Sequence, residues 1–330
     1  MPFDHRPDTP GADVLQSALV VLADKHSIDP ESLTWTVGDR TDRKRSTLFH
    51  LTLRSPAGTV ATAWYKTPYF PPGEQDSRHL GRAREALSRG DEMARHFREL
   101  AGESSLAINE TLAFDEKTLE VVTLGLEGEP MGNPLQFAFT GKSRAKALTA
   151  AAAVGQAVRV LESFPQPEPG PELDRIWQET ERKVESIGPL LSMADRRSLE
   201  THLGELFDLA SADTQGVTVS HVDLSPGNVI MMEDGTGLID FGWIPQLRGF
   251  DLSRFVHRLR YTTTSFRPWT ASLVGAVTEG YGDAEAAAAP GWRFSEMQRL
   301  MGTIQRLERK GEGGRRSAGR ALAEIRAGLT

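Results

Sequence analysis

The sequence predicts an α+β chain: an antiparallel, β-rich first part followed by a mostly helical second part. Three observations carry that reading. Short runs rich in Val, Leu, Thr and Tyr, bounded by turn residues, recur between Leu33 and Leu124. Longer runs of helical period dominate after Ser143. Inside the helical part, two short aliphatic runs flank Asp234-Gly235 and read as a hairpin. The division expected is a tail and helix over 1–29, a β-rich lobe over 30–126 and a helical lobe over 127–330.

Each element has its own warrant. Residues 1–11 read as a loose terminus, and Asp13 to His26 as an amphipathic helix with Val14, Leu15, Leu19 and Leu22 near one face. Leu33–Val37 and Leu48–Leu53 read as strands joined by a polar, basic stretch from Gly38 to Ser46. A third strand, Thr59–Tyr65, leads into Lys66 after the turn Ser55-Pro56-Ala57-Gly58. Pro68–Asp76 is a Pro-rich loop, and His79–Leu100 a long charged helix. Ile108–Phe114 and Leu119–Leu124 form two further strands around Asp115-Glu116-Lys117. Ser143–Phe164 is a strong Ala-rich helix, and Pro165–Pro171 a stiff connection. Helices are expected over 172–190, 194–211, 266–282, 293–307 and 321–329, the last preceded by a Gly- and Arg-rich stretch, 310–320. His257, Arg258 and Arg260 read as solvent-facing.

The chemistry concentrates in Ser220–Phe255. The loop His221-Val222-Asp223-Leu224-Ser225-Pro226-Gly227-Asn228 precedes the hairpin, and Asp240-Phe241-Gly242 follows it. A hairpin would return the chain so that Asp223, Asn228 and Asp240 converge. Those three types suit phosphoryl transfer, which asks the protein for positioning and charge neutralisation. Mg2+ is a hard cation that takes one or two protein oxygens and completes its shell with phosphate and water. Asn228 and Asp240 are the candidate metal ligands. Asp223 is the candidate catalytic base, orienting an acceptor hydroxyl and taking its proton. H-x-D-x-x-x-x-N followed closely by D-F-G has the spacing of a kinase catalytic loop.

HVDLSPGNVI, IDFG and Asp251-Leu252 together resemble the aminoglycoside phosphotransferase and choline kinase branch of the protein-kinase-like fold. That branch typically has Gly and His where this chain has Val222 and Ser225, departures that bear on the acceptor side. Eight residues separate Gly242 from Asp251, which leaves no room for a long activation segment and favours the small-molecule branch. The resemblance implies a bilobal fold with an antiparallel-sheet amino-terminal lobe and a mostly helical carboxy-terminal lobe. It implies that Lys66 contacts the α and β phosphates of ATP, or another nucleoside triphosphate, bound with Mg2+. Glu92 is the expected partner of Lys66, with Glu85 as the alternative. Leu124 to Leu126 stand where backbone groups receive adenine, since Leu126-Glu127-Gly128-Glu129-Pro130 is similar to the family's hinge exit. A G-x-G-x-x-G cover is absent. Amides near Arg45 and Ser46 could cap the phosphates instead, or the basic stretch is a solvated hairpin tip. Asp251 is implied to brace the catalytic loop.

Composition bounds the rest. With 330 residues and 39% hydrophobic content the chain can fill one large core or two lobes. A formal charge of −7 provides no basic field for nucleic acid. There is no cysteine, hence no disulfide framework. Neither a signal-peptide h-region nor an apolar run of membrane length occurs, so a cytoplasmic protein is expected. The expected partner is a small-molecule hydroxyl acceptor: an aminoglycoside, amino alcohol or sugar-like compound. The alternatives are a Ser/Thr peptide substrate with a partner lyase, or a nucleotide-binding pseudokinase.

Overall fold

The computed structural model describes residues 6–43, 46–69, 81, 84, 89–101, 106–132, 141–164, 172–213, 216–221, 223–241, 244–263, 267–282, 288–308 and 312–329. In chain order its elements begin with helix α1 (Ala12–His26) and strands β1 (Thr34–Asp42), β2 (Ser46–Ser55) and β3 (Gly58–Pro68). Next come α2 (Gly90–Ala101), β4 (Leu106–Ile108), β5 (Thr111–Asp115), β6 (Glu120–Leu124) and β7 (Glu129–Pro130). Helices α3 (Gly141–Glu162), α4 (Glu172–Ile187) and α5 (Met193–Ala212) follow, then β8 (Val217–Ser220), β9 (Val229–Met231), β10 (Thr236–Leu238) and β11 (Ile244–Leu247). The chain closes with α6 (Phe250–Arg258), α7 (Arg267–Tyr281), α8 (Pro290–Glu308) and α9 (Glu312–Gly328). The chain is α+β, as its sequence predicts.

It divides into two compact units: residues 1–129 with 230–244, and 130–229 with 245–330. The first unit therefore takes in α1 and also the hairpin that lies far away in sequence. Its main sheet is antiparallel, in the order β1-β2-β3-β6-β5. Alternation decides which face is core. Phe49, Leu51 and Leu53 of β2, and Ala63 and Tyr65 of β3, point one way and are buried. Helix α1 covers that face with Val14, Ala18 and Leu22, one helical stripe. Lys66, one residue after Tyr65, consequently belongs to the opposite face.

The expected single strand over 108–114 is two. Leu106–Ile108 runs parallel to β10, whereas Thr111–Asp115 joins the main sheet. Asn109 and Glu110 make the change: the Asn109 amide donates to Leu238 O (3.1 Å), and Glu110 O accepts from the Leu124 amide (2.8 Å).

The second unit is mostly helical. Leu199, Leu203 and Leu206 of α5 meet Phe294, Met297, Met301 and Ile304 of α8, with Ile325 of α9. Helices α3 and α7 approach backbone to backbone. A Cβ on Gly155 would lie 2.1 Å from Val277 O, and one on Gly280 1.9 Å from Ala152 O. Only glycine fits at either place.

Several expectations need correction. The Gly- and Arg-rich stretch over 310–320 is helical from Glu312 onward as the start of α9; its Ala318, Ala321 and Ile325 give it a buried stripe. His257 does not face solvent: it is buried, stacks on Tyr261 at 4.6 Å between ring centroids, and its Nε2 lies 2.8 Å from Thr303 Oγ1. Arg260 is paired with Glu296 at 2.6 Å, and Arg258 is half-buried. Strands β8 and β11 were not expected from the sequence. The Pro-rich loop 70–76 and the connection 165–171 lie outside the described residues.

Candidate active site

The first unit holds the lysine and the Asp-Phe-Gly. Lys66 Nζ lies 2.9 Å from Asp240 Oδ1, although 174 positions separate the residues. Both side chains are partly exposed, at 40% and 48%, so the pair remains accessible to a ligand. Asp240 has φ of 60°, the left-handed region. Aspartate tolerates that conformation better than most side chains, and it turns the carboxylate out of the line of β10 towards Lys66. Phe241 is anchored on α2: its ring meets that of buried Phe97 edge to face at 6.4 Å. Glu92, on the same helix, is exposed; the partner described for Lys66 is Asp240. Glu85 lies outside the described residues.

The hinge segment distinguishes its amides. Leu124 N–H donates to Glu110 O and Gly125 N–H to Thr62 O, both at 2.8 Å. Leu126 N–H makes no backbone hydrogen bond among the described residues, and the Leu126 side chain packs over Gly237. Of the segment expected to receive adenine, Leu126 is thus the residue with an amide to offer.

Over the β1–β2 turn, the basic stretch is tied down. Arg40 pairs with Asp8 (2.7 Å) and Asp42 (3.2 Å), and hydrogen bonds from Arg40 and then Thr47 hold the Asp42 carboxyl below its usual range. Ser46 O accepts from the Arg43 amide (2.8 Å) and from Arg6 Nη1 (3.1 Å). Lys44 and Arg45 lie outside the described residues.

The second unit holds the loop expected to be catalytic, His221 to Asn228. Asp223 is exposed, with 60% of its side chain accessible, and its Oδ1 accepts from Arg254 Nη2. Asn228 Nδ2 donates to the Asp223 carbonyl at 2.9 Å. The amide nitrogen is thereby committed, which leaves the Asn228 side-chain oxygen for a cation. Asp223 N–H donates to His221 O, and Asn228 N–H to Ser225 O, closing two tight turns.

Asp251 braces this loop. It is buried in the first turn of α6, where a carboxylate also suits the helix dipole. Its Oδ1 accepts from Ser220 Oγ (2.8 Å) and its Oδ2 from the His221 amide (2.6 Å). A further support lies behind it. Gly249, with φ of 82°, caps α6, and its amide donates to Glu162 Oε1 at 2.8 Å. Glu162 Oε2 accepts from Tyr281 (2.5 Å) and Arg248 (3.3 Å). Burial pushes the Glu162 carboxyl up, while these donors oppose the shift.

Asp240 in the first unit and Asn228 in the second each offer a hard oxygen, the donor type that Mg2+ takes. Among the described residues no group of three or more His, Cys, Asp or Glu side chains could cage a metal, so a bound Mg2+ would need phosphate and water to complete its shell. Sequence reasoning missed Arg254 and Glu162. Arg254 carries no motif; its one signal is a position three residues after Asp251, on the same side of a helix.

The Phosphotransferase enzyme family profile matches residues 76–296, about two thirds of the chain. The chain belongs to that family. No curated protein matches the sequence significantly. Among solved structures, this phosphotransferase is similar to APH(2")-IIia in complex with GDP and kanamycin. The TM-score is 0.53 at 14% identity, covering 89% of this chain and 93% of that one. It is also similar to a choline kinase from Cryptosporidium parvum Iowa II (TM-score 0.50, 10% identity, 96% and 94% covered). A choline/ethanolamine kinase family protein from Mesorhizobium loti gives a TM-score of 0.50 at 14% identity, with 95% and 94% covered. At such identities the likeness establishes the kinase-like fold of the phosphotransferase. Among its described residues no helix is long and apolar enough to cross a membrane.

Proposed function

We propose that this phosphotransferase moves the γ-phosphoryl group of ATP to a hydroxyl of a small molecule. The observation that carries the reading is the Lys66–Asp240 pair: a strand lysine meeting the aspartate of Asp-Phe-Gly at 2.9 Å. Lys66 would steady the nucleotide phosphates, and the Leu126 amide would receive the base. Glu92 lies on the nucleotide side, and its exposed carboxylate would take over Lys66 when Asp240 binds Mg2+. Asn228 and Asp240 would hold Mg2+, which supplies neutralisation of phosphate charge. Asp223 orients the acceptor hydroxyl and takes its proton, and Asp251 positions the loop that bears Asp223. A fold shared with a protein whose structure holds GDP and kanamycin supports the nucleotide assignment.

The test is Mg2+-dependent ADP release with pooled hydroxyl acceptors, run beside Asp223→Asn. Acceptor-stimulated release that falls about 1,000-fold or more in the variant, with nucleotide affinity kept, supports the assignment of Asp223; general-base contributions reach about 10^4-fold. Equal turnover by the variant refutes it. Nucleotide binding without release in any pool would instead mark a binding protein.

A further inference from the structure

The surroundings of Asp223 in the second unit are strongly basic, although the whole chain is acidic. Arg254 binds Asp223, and Arg258 follows it by one turn on α6. From α8, Arg299 donates to Phe250 O and Ser253 Oγ (3.3 Å each) and lies 4.2 Å over the Phe250 ring. Arg306 stands two turns further along α8. These cations feel one another. Burial with Arg254 beside it holds Arg258 below the ordinary arginine range, and Arg299 is depressed by burial and by Arg254 and Arg258.

Asp223 opposes the charge of Arg258, and Asp251 and Asp223 oppose that of Arg299. Asp251 is already committed to Ser220 and His221. His257 adds no negative charge, and burial among the arginines pushes it down to about 3, so it is neutral. Arg254 Nε is buried and finds no hydrogen-bond partner among the described residues. That donor is unmet, while 18% of the Arg254 side chain stays accessible. Carboxylate and phosphate are the groups whose paired oxygens match a guanidinium edge. A polyamine brought to the same wall would meet like charge.

We infer that Arg254, backed by Arg258, binds an oxyanion of the acceptor, a carboxylate or a phosphate ester, close to the hydroxyl that is phosphorylated. The inference rests on the phosphotransfer reading above and narrows it to anionic hydroxy compounds. It also couples recognition to chemistry. When the acceptor's oxyanion takes the guanidinium, Asp223 is released from its ion pair. Its carboxylate then accepts the hydroxyl proton as the oxygen attacks the γ-phosphorus, and the bond to the departing ADP breaks with its electron pair.

Two measurements on the full chain test this. The first is thermal stabilisation at constant ionic strength by glycerate and glucose 6-phosphate, against glycerol, glucose and kanamycin, for wild type, Arg254→Ala and Arg254→Lys. The expected result is a concentration-dependent rise in Tm with one or both anions, lost in Arg254→Ala and partly kept in Arg254→Lys. Glycerate and glucose 6-phosphate separate the carboxylate from the phosphate source. Stabilisation by kanamycin alone, by neither anion, or by anions equally in Arg254→Ala overturns the inference.

The second is ADP release with the same pairs. Anionic members should show KM values about tenfold or more below their neutral counterparts, and Arg254→Ala should raise KM for the anion at least tenfold. ADP release confined to neutral or cationic acceptors sinks this inference and leaves phosphotransfer standing. Anion binding through Arg254 with no ADP release from any acceptor supports the oxyanion site and sinks phosphotransfer instead.

Discussion

Replacing Asp251 by Asn removes one charge at a buried junction and changes almost no volume. The wild-type carboxylate accepts two hydrogen bonds, from Ser220 Oγ at 2.8 Å and the His221 amide at 2.6 Å, and is 4% exposed. Asparagine retains one acceptor oxygen; its amide group turns a donor towards the other partner. One buried donor is then unsatisfied, which costs about 1–3 kcal/mol. Arg299 also loses a nearby counter-charge, and breaking one side of a buried charge arrangement costs about 3–5 kcal/mol in all. A body of this size loses about 2–4 °C of Tm per kcal/mol, so Tm should fall by roughly 6–20 °C. Because the loop carries Asp223, kcat should fall about 100-fold, the scale of a misplacement of about 1 Å. Ser220→Ala, which removes one neutral donor, should cost only about 1 kcal/mol. Calorimetry beside steady-state ADP release makes the comparison. An Asp251→Asn protein within about 2 °C of wild type, or one no worse than Ser220→Ala, would refute the reasoning.

Other perturbations reach different parts of the molecule. Gly155→Ala places a methyl group 2.1 Å from Val277 O, so α3 and α7 must part; a loss of about 1–3 kcal/mol or more should appear as a lower urea midpoint. His257 binds no proton in the fold until about pH 3, whereas the unfolded chain takes one near pH 6.5. Stability should therefore rise with pH between those limits by up to about 1.4 kcal/mol per unit, and His257→Gln should flatten that slope in urea titrations at pH 5 and 7. An unchanged slope would show that the ring is protonated in place. Lys66→Met should weaken ATP binding about tenfold or more, the loss of one charge-assisted contact of about 1.5–3 kcal/mol, as read by titration calorimetry; equal affinity would move the phosphates elsewhere.

What the sequence made legible follows from how local each signal is. The helices α3, α4, α5 and α8 are long and strongly periodic, and the strands β1 to β3 are set off by turn residues, so both kinds could be found. Strands β8 and β11 could not: each has four residues and gains its hydrogen bonds from a distant partner. The division at Asn109 and Glu110 was equally hidden, because β4 exists only through pairing with β10, 130 positions later in register. In the candidate site, Asp223, Asn228 and Asp240 stand out in the sequence by residue type and spacing around a hairpin. Arg254 was not, since its meaning lies in the ion pair with Asp223. His257 looked like one polar residue among basic neighbours, and only tertiary packing shows it buried.

The pairing of β4 with β10 sets an order of events for a nascent chain. Leu106 to Ile108 emerge early in synthesis, but the strand they pair with is completed only at Leu238. The chain must hold an unsatisfied strand edge while more than a hundred further residues are added, and such long-range pairings form slowly. An exposed edge of this kind invites pairing with another chain. A fragment ending at Glu129 would keep α1 and the antiparallel sheet yet lack both β10 and Asp240. It should aggregate on release, and adding a peptide spanning 230–244 in trans should suppress that aggregation.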